Sequence, residues 1–405
     1  MMQVVHSRFN ALLSACVLSL IATASWSQSL TWLGTLGGNQ TVAYGVSADG
    51  RVVVGEARNA AGGRAFRWQN GFMQDLGTLP GGYESVAYGV SADGSVVVGW
   101  ARNAAGQRRA FRWTASGGMQ DLGALPGGSN STWAYGVSAD GSVVVGGAYD
   151  AAGQWRAFRW TASGGMRDLG ALLGGCCSEA FGVSADGSVV VGTATNAAGR
   201  RRVFRWTASG GIQDLGALPG IIHSLASAVS ADGSVVVGYA YVGSYPRAFR
   251  WENGVMQDLG TLRGGYSNAY AVSADGAVVF GESDLRAVRW TASGIEDLNT
   301  TYASLLTNGS ELWEARAISP DGRYIVGRGY NAATRRTEAF LLDTRCTAHN
   351  GDVDANGCVD DADLLAVLYA FGNRGSNLGR VDVNCDGAVD DADLLIVLFN
   401  FGSGC

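Results

Sequence analysis

Residues 87–99 read AYGVSADGSVVVG, and variants of this phrase recur along most of the chain. Its aspartate falls at Asp49, Asp93, Asp140, Asp186, Asp232, Asp275 and Asp321, at spacings of 44, 47, 46, 46, 43 and 46 residues. A fixed period of this length marks a repeat architecture. Each unit holds four short β-like runs, typified by AYGVS, SVVVG, RAFRW and MQDLGTL. They are joined by ADG, by a variable stretch often written NAAG, and by TASGG or QNG. Gly and Asn at those joints supply the positive φ that tight hairpins need. Four antiparallel strands per unit predict a propeller blade, and seven units predict an all-β seven-bladed β-propeller.

The ends of the array predict how the ring closes. The seventh unit has strand-like runs at 315–319, 324–327 and 339–342 but no fourth. Residues 30–36, LTWLGTL, read as a fourth-type strand with no preceding three. One orphan strand filling one gap removes both free sheet edges.

Composition narrows the chemistry. The chain holds 61 Gly against 5 Pro, with 12 Trp, 14 Tyr and 13 Phe, which suits short strands and tight turns. It contains no lysine, so Schiff-base and P-loop lysine mechanisms are excluded. Its three histidines are His6, His223 and His349, too few for extensive His-based catalysis or zinc binding. Residues 346–405 carry ten Asp and two Arg, a balance of −8 against −6 for the whole chain, so the remainder is +2. A near-neutral propeller argues against a nucleic-acid surface.

Residues 1–27 read as a secretory signal. Arg8 supplies positive charge, 11–22 are apolar, and small residues offer cleavage after Ala24 or Ser27. Leu13-Ser14-Ala15-Cys16 also matches a lipobox, but the apolar run continues past Cys16. No other segment is apolar for long enough to span a membrane. The expected location is secreted or bacterial cell-surface, where disulfides are permitted. The expected domains are then a signal peptide at 1–27, the propeller at 28–344 and a calcium-binding domain at 345–405.

Most repeated positions in the propeller read as structural. The ADG aspartates suit hairpin turns. Alternation puts Phe66 and Trp68 on one face, to pack against the next blade, and Arg67 on the other. Arg67, Arg112, Arg159, Arg205, Arg250 and Arg289 are expected to pair with Asp75, Asp121, Asp168, Asp214, Asp258 and Asp297. Function is expected where the units differ, on the rim shared by the strand-two-to-three loops and the blade connections. That rim carries the candidate ligand residues Tyr83, Trp133, His223, Tyr245, Tyr266 and Trp313, the pair Cys176-Cys177, and an insertion over 299–313. Exposed aromatics there suit carbohydrate or protein recognition. Glu84 and Glu179 are the carboxylates that a glycoside-cleaving alternative would use.

These units resemble the extracellular HAF repeat family, over about residues 30–344. The resemblance rests on the VSADGSVVVG phrase, the AFRW strand and the DLGTL ending, with Arg64-Ala65-Phe66 in place of His-Ala-Phe. It implies an exported propeller-like protein and brings no catalytic residue.

The acidic tail contains two twelve-residue loops. Residues 352–363 read DVDANGCVDDAD and 382–393 read DVNCDGAVDDAD. Oxygen side chains at positions 1, 3, 5, 9 and 12, with glycine at 6, follow EF-hand logic for Ca²⁺. The predicted ligands are Asp352, Asp354, Asn356, Asp360 and Asp363, with the Cys358 carbonyl. In the second loop they are Asp382, Asn384, Asp386, Asp390 and Asp393, with the Ala388 carbonyl. Leu364, Leu365, Leu368 and Phe371 follow at helical spacing, as do Leu394, Leu395, Leu398 and Phe401.

Two such half-hands followed by DLLxVL helices resemble a type I dockerin, over about residues 350–402. The resemblance implies two calcium ions and a cohesin-like partner, contacted through Asp361, Ala362, Asp391 and Ala392. Cys346, Cys358, Cys385 and Cys405 depart from the pattern and allow three pairings. The nearness of dockerin ends implies Cys346–Cys405. The Gly-Cys ending resembles a Cys-rich variant on bacterial exported proteins, whose implied role is an anchoring or sorting tag. The sequence thus predicts a non-catalytic, exported binding or adhesion protein. The alternatives are a dockerin-borne polysaccharide hydrolase or lyase and a purely structural surface protein.

Overall fold

The computed structural model describes residues 28–405 apart from 61, 130, 244, 346–349, 355, 374–377 and 386–387. The expected signal segment 1–27 with Cys16, and the tail residues Cys346, His349, Asp386 and Gly387, lie outside the described residues. The chain divides into two compact units, Gln28–Thr344 and Arg345–Cys405.

The first unit is an all-β propeller of seven four-stranded antiparallel sheets. In blade 1, Thr41–Val46, Val52–Asn59, Gly62–Gln69 and Phe72–Asp75 pair in that order. In blade 7, Glu311–Ile318, Tyr324–Asn331 and Arg336–Asp343 are joined by Ser29–Trp32 from the other end of the chain. Leu30 lies opposite Leu342 and Trp32 opposite Phe340, so the orphan strand closes the ring. The first strand of blade 7 starts at Glu311, inside the expected 299–313 insertion. The rest of that insertion forms the short helix α1, Leu298–Thr301, and two 3₁₀ turns.

Neighbouring blades are joined by three repeated devices. A buried hydroxyl at the start of an innermost strand accepts the third-strand amide of the preceding blade, as in Ala65 N to Ser85 Oγ (2.9 Å) and Ala339 N to Thr41 Oγ1 (2.8 Å). The alanine amide of ADG donates to its counterpart in the following blade, from Ala48 N to Ala92 O (2.8 Å) onward. Blade 7 writes Pro320 at this position. It accepts from Ala274 (3.1 Å) but has no N–H to pass on. Finally, each interface has an apolar core. Phe66 and Trp68 of blade 1 pack with Val326, Ala339 and Leu341 of blade 7. The aromatic pair therefore faces the preceding blade, not the next one as expected. Phe111 and Trp113 repeat this against Val52, Val54 and Ala65.

The expected ion pairs form with a different arginine. Asp121 binds Arg109 (2.8 Å), Asp168 binds Arg156 (3.1 Å), Asp214 binds Arg202 (3.3 Å) and Asp258 binds Arg247 (3.1 Å). Arg64–Asp75 and Arg286–Asp297 follow suit at 3.6 and 3.3 Å. Register is the reason. Asp75 lies opposite Phe66 and Arg67 opposite Gln74, so Asp75 shares a face with Arg64, two residues before the phenylalanine. Arg67, Arg159, Arg205 and Arg250 reach the following blade's ADG turn instead, as in Arg159 to Gly187 O (3.2 Å) and Arg205 to Gly233 O (3.2 Å), while Arg289 pairs with Glu296 (2.7 Å).

The second unit contains α2, Asp361–Ala370, and α3, Asp391–Phe399. Its core is built from Val353, Val359, Val367, Val383, Val389 and Val397. Val359 exchanges backbone bonds with Ser403 and Gly402 after α3, and Val389 with Gly372 and Asn373 after α2. The two halves are thus related by an approximate twofold. This tail pairing brings Cys405 to Cys358, with Cα atoms 4.7 Å apart in a disulfide. It replaces the expected Cys346–Cys405 bridge; Cys385 is also disulfide-bonded. No helix among the described residues is long and apolar enough to cross a membrane.

Candidate functional site

The central channel is shaped by one irregularity repeated seven times. In every innermost strand the register slips by one residue, as between Ala43 and Gly45, leaving Tyr44 as the extra residue of a bulge. A bulge re-aims its side chain. Tyr44, Tyr88, Tyr135, Phe181, Ser227, Tyr270 and Arg316 hold the bulged positions and line the channel. The facing strand must then carry glycine: a Cβ on Gly55 would lie 2.0 Å from Val42 O. Consecutive rings stand 5.1 to 5.3 Å apart from Tyr44 through Phe181. Arg316 closes the girdle, 4.1 Å over Tyr270 and held by Glu314 (2.5 Å). Burial raises the Tyr44 hydroxyl to about 12. Ser227 is the small member, and the channel cavity of about 260 Å³ opens beside it, past Leu225 and Tyr239.

The ADG aspartates serve as turn residues. Asp140 accepts Ser138 Oγ (2.6 Å) and Ser142 N (3.0 Å), and these donors lower its carboxyl to about 2.

The rim residues fall into separate environments. Tyr83 and Tyr245 are exposed at 53% and 63%; Arg102 lies over the Tyr83 ring at 5.2 Å. Tyr266 donates to Glu282 (2.5 Å), and Trp313 stacks on Tyr330 at 6.3 Å. His223 Nδ1 accepts the Arg201 amide (3.1 Å), a bond that orients a loop. Trp133 alone joins a larger cluster: Arg108 lies 5.7 Å from its ring, and Trp155 stands edge-on at 4.6 Å. Glu84 binds Arg102 (2.9 Å).

Glu179 has a different setting. It lines a cavity of about 280 Å³ with Trp155, Thr193, Arg201 and Cys177. Its neighbours Tyr135 and Trp155 favour the charged carboxylate, yet burial dominates and raises its pKa. Cys176 and Cys177 are free thiols 2.6 Å apart at the edge of this region. Trp155, Thr193 and Arg201 were not among the expected rim residues. Their signal lay in their departure from the repeat: Trp155 stands where other units have Gly63, Arg108, Arg201 or Pro246.

In the tail, carboxylate oxygens of Asp352, Asp354 and Asp363 lie within 4.8 Å of one another. Asp363 is fully buried. It accepts the amides of Val353 (2.6 Å), Asp354 (3.1 Å) and Asp360 (2.9 Å). Asp360 caps α2 in return, and Asn356 Oδ1 accepts Cys358 N (2.7 Å). Asp352 Oδ1 is buried with no hydrogen-bond partner, a fit for a hard cation. In the second loop Asp393 is fully buried and accepts Asn384 N (2.9 Å) and Asp390 N (3.0 Å), while Asp382 is 5% exposed and Ala388 buried. Asp361, Ala362, Asp391 and Ala392 are exposed at the helix starts. Beside them Tyr369 and Phe399 are 86% and 84% exposed, and Leu365 and Leu395 about half.

No family model matches the sequence, and no curated protein is similar to it. Solved structures share the fold. An oligogalacturonate lyase from Vibrio parahaemolyticus superposes with TM-score 0.50 at 9% identity, covering 79% of this chain and 96% of its own. The extracellular domain of a protein described as a one-component system from B. thetaiotaomicron gives 0.50 at 10%, covering 80% of this chain and 40% of its own. TolB from Acinetobacter baumannii gives 0.41 at 11%, covering 76% and 64%. By its strand order and by these likenesses, residues 28–344 are a seven-bladed β-propeller.

Proposed function

We propose that this chain is an exported or cell-surface binding protein. Its propeller recognises a carbohydrate or protein ligand, and residues 345–405 anchor it through calcium-dependent docking to a cohesin-like partner. The observation that carries the reading is the segregation of the two rims. Near-identical ADG and TASGG turns occupy one rim. The connections on the other differ from blade to blade and carry Tyr83, Tyr245 and the Trp133 cluster. Repetition serves closure of the ring; departure from it gives a surface that can be specific. The anchoring part is supported by the orphaned Asp352 oxygen and by two equivalent exposed apolar helix faces. Asp352, Asp354, Asn356, Asp360 and Asp363 would hold one calcium ion and Asp382, Asn384, Asp386, Asp390 and Asp393 the other. The ions would neutralise clustered carboxylates and stiffen the loops before α2 and α3.

Glycan and cell-extract arrays probed with the full chain, with mass spectrometry of any products, test the propeller. Calorimetric titration of calcium tests the tail, with about two ions expected. No retained ligand overturns the first part, and no heat with no effect of chelator overturns the second. An enzymatic reading, a polysaccharide hydrolase or lyase, is favoured by one feature, the raised carboxyl of Glu179. Product release abolished in Glu179→Gln would establish it; the lyase with this fold is a likeness of architecture alone.

A further inference from the structure

The cavity beside Glu179 holds a buried hydroxyl. Thr193 is only 7% exposed, yet its Oγ1 lines the cavity with no hydrogen-bond partner. A buried hydroxyl in that state costs free energy that a ligand would recover. Trp155 forms a wall and is held in place on three sides. Trp133 and Tyr149 stand edge-on to it at 4.6 and 4.8 Å, and Gly147 lies beneath, where a Cβ would come within 2.3 Å of the indole. The other units place Glu56, Trp100, Thr193, Tyr239, Glu282 and Arg328 at the Gly147 position, so only blade 3 leaves room for a flat tryptophan.

We propose that this cavity, formed by Trp155, Glu179, Thr193 and Arg201, binds one ring of a neutral sugar. The proposal rests on the reading of the variable rim as a recognition surface and supplies its site and ligand class. Glu179 lines the cavity and can accept from sugar hydroxyls. Thr193 Oγ1 offers a further donor and acceptor. Phe181, Leu225 and the indole give apolar surface for the C–H face of the ring. Glu179 and Arg201 are of opposite charge, so the site has no net preference for an anion or a cation. At about 280 Å³ it stands at the lower end of ligand pockets, about 300 Å³ upward, which suits one ring and excludes an oligomer lying wholly inside.

The test is titration of the full chain, under reductant to keep Cys176 and Cys177 as thiols, with methyl glucoside, galactoside and mannoside, N-acetylglucosamine and galacturonate. Calorimetry and tryptophan fluorescence provide the readouts. A neutral sugar is expected to bind and to perturb tryptophan emission. Glu179→Gln and Thr193→Val should each weaken binding by about tenfold. Gly147→Val, which displaces Trp155 and leaves Glu179, Thr193 and Arg201 unsubstituted, should abolish the fluorescence change. Circular dichroism identifies any variant that fails to fold, and at least one of the three must be folded and weakened for the site to stand. Binding that survives all three folded variants but falls in Tyr83→Ala or Tyr245→Ala overturns this site and leaves the rim reading intact. Preference for galacturonate overturns the ligand class. Absence of binding to every sugar overturns the proposal, while a protein partner found on the array would still uphold the rim reading.

Discussion

Trp32, near the start of the propeller, lies opposite Phe340 near its end, the rings edge-on at 6.3 Å and 78°. Residues more than 300 positions apart in the chain thus form one cross-strand pair, and the ring depends on it. Phe340 is fully buried, whereas Trp32 is half-buried. Phe340→Ala is expected to cost about 3–5 kcal/mol and Trp32→Ala about 2 kcal/mol in urea unfolding. Both should lower the midpoint of the whole propeller. Loss confined to blade 7, with the other blades unfolding as before, would contradict closure as the source of cooperativity.

The arginine that meets each repeat aspartate can be checked by a double-mutant cycle. Arg109 bonds Asp121 through Nε (2.8 Å) and a terminal nitrogen (3.1 Å). Asp121 is more than a third exposed, so screening reduces the coupling to about 1 kcal/mol. The Arg112/Asp121 cycle should give a value near zero. Equal coupling in both cycles would refute the register argument.

Acid stability should report the ADG turns. Hydroxyl and amide donors hold Asp140, Asp186 and Asp232 at about 2, below the range of an unfolded carboxyl. A carboxyl lowered by folding contributes stability that is complete above the unfolded pKa near 4 and is lost as pH falls through about 2. Replacing Ser138, Ser184 and Ser230 by alanine should therefore destabilise the propeller at pH 5, with the deficit narrowing between about pH 4 and 2. Thermal melts of wild type and variant across that window measure it. A deficit independent of pH would show that the serines act only through the Val143, Val189 and Val235 amides they also accept.

Loss of the Cys358–Cys405 bridge should loosen the tail alone. Its partners are 47 residues apart, and cross-links of this kind contribute about 2–4 kcal/mol. Cys405→Ser is expected to lower the melting temperature of the second unit by that equivalent and to leave the propeller transition unchanged. If the bridge forms to Cys346 instead, Cys358→Ser would have no comparable effect.

Blade number and ring closure were legible because both follow from counting along one chain. Seven aspartates at near-constant spacing and one surplus strand admit few arrangements, and the observed register of Leu30 with Leu342 is one of them. The duplicated acidic loops, DxDxxG at 352–357 and DxNxxG at 382–387, were also legible as local patterns. The cavity beside Glu179 was not. Its members Trp155, Glu179, Thr193 and Arg201 come from four strands in two blades, and each alone is an unremarkable departure from a repeat.

The sequence by itself determined the repeat, the number of blades and which end supplies the missing strand. These depend on spacing and on alternation within a strand. Only the tertiary structure decided that Asp121 meets Arg109 rather than Arg112, that Cys405 meets Cys358, and that the phenylalanines face the preceding blade. Each of these depends on register between strands or on the order of stacked blades. A shift of one residue exchanges the faces of a strand, and no count along the chain can supply that information.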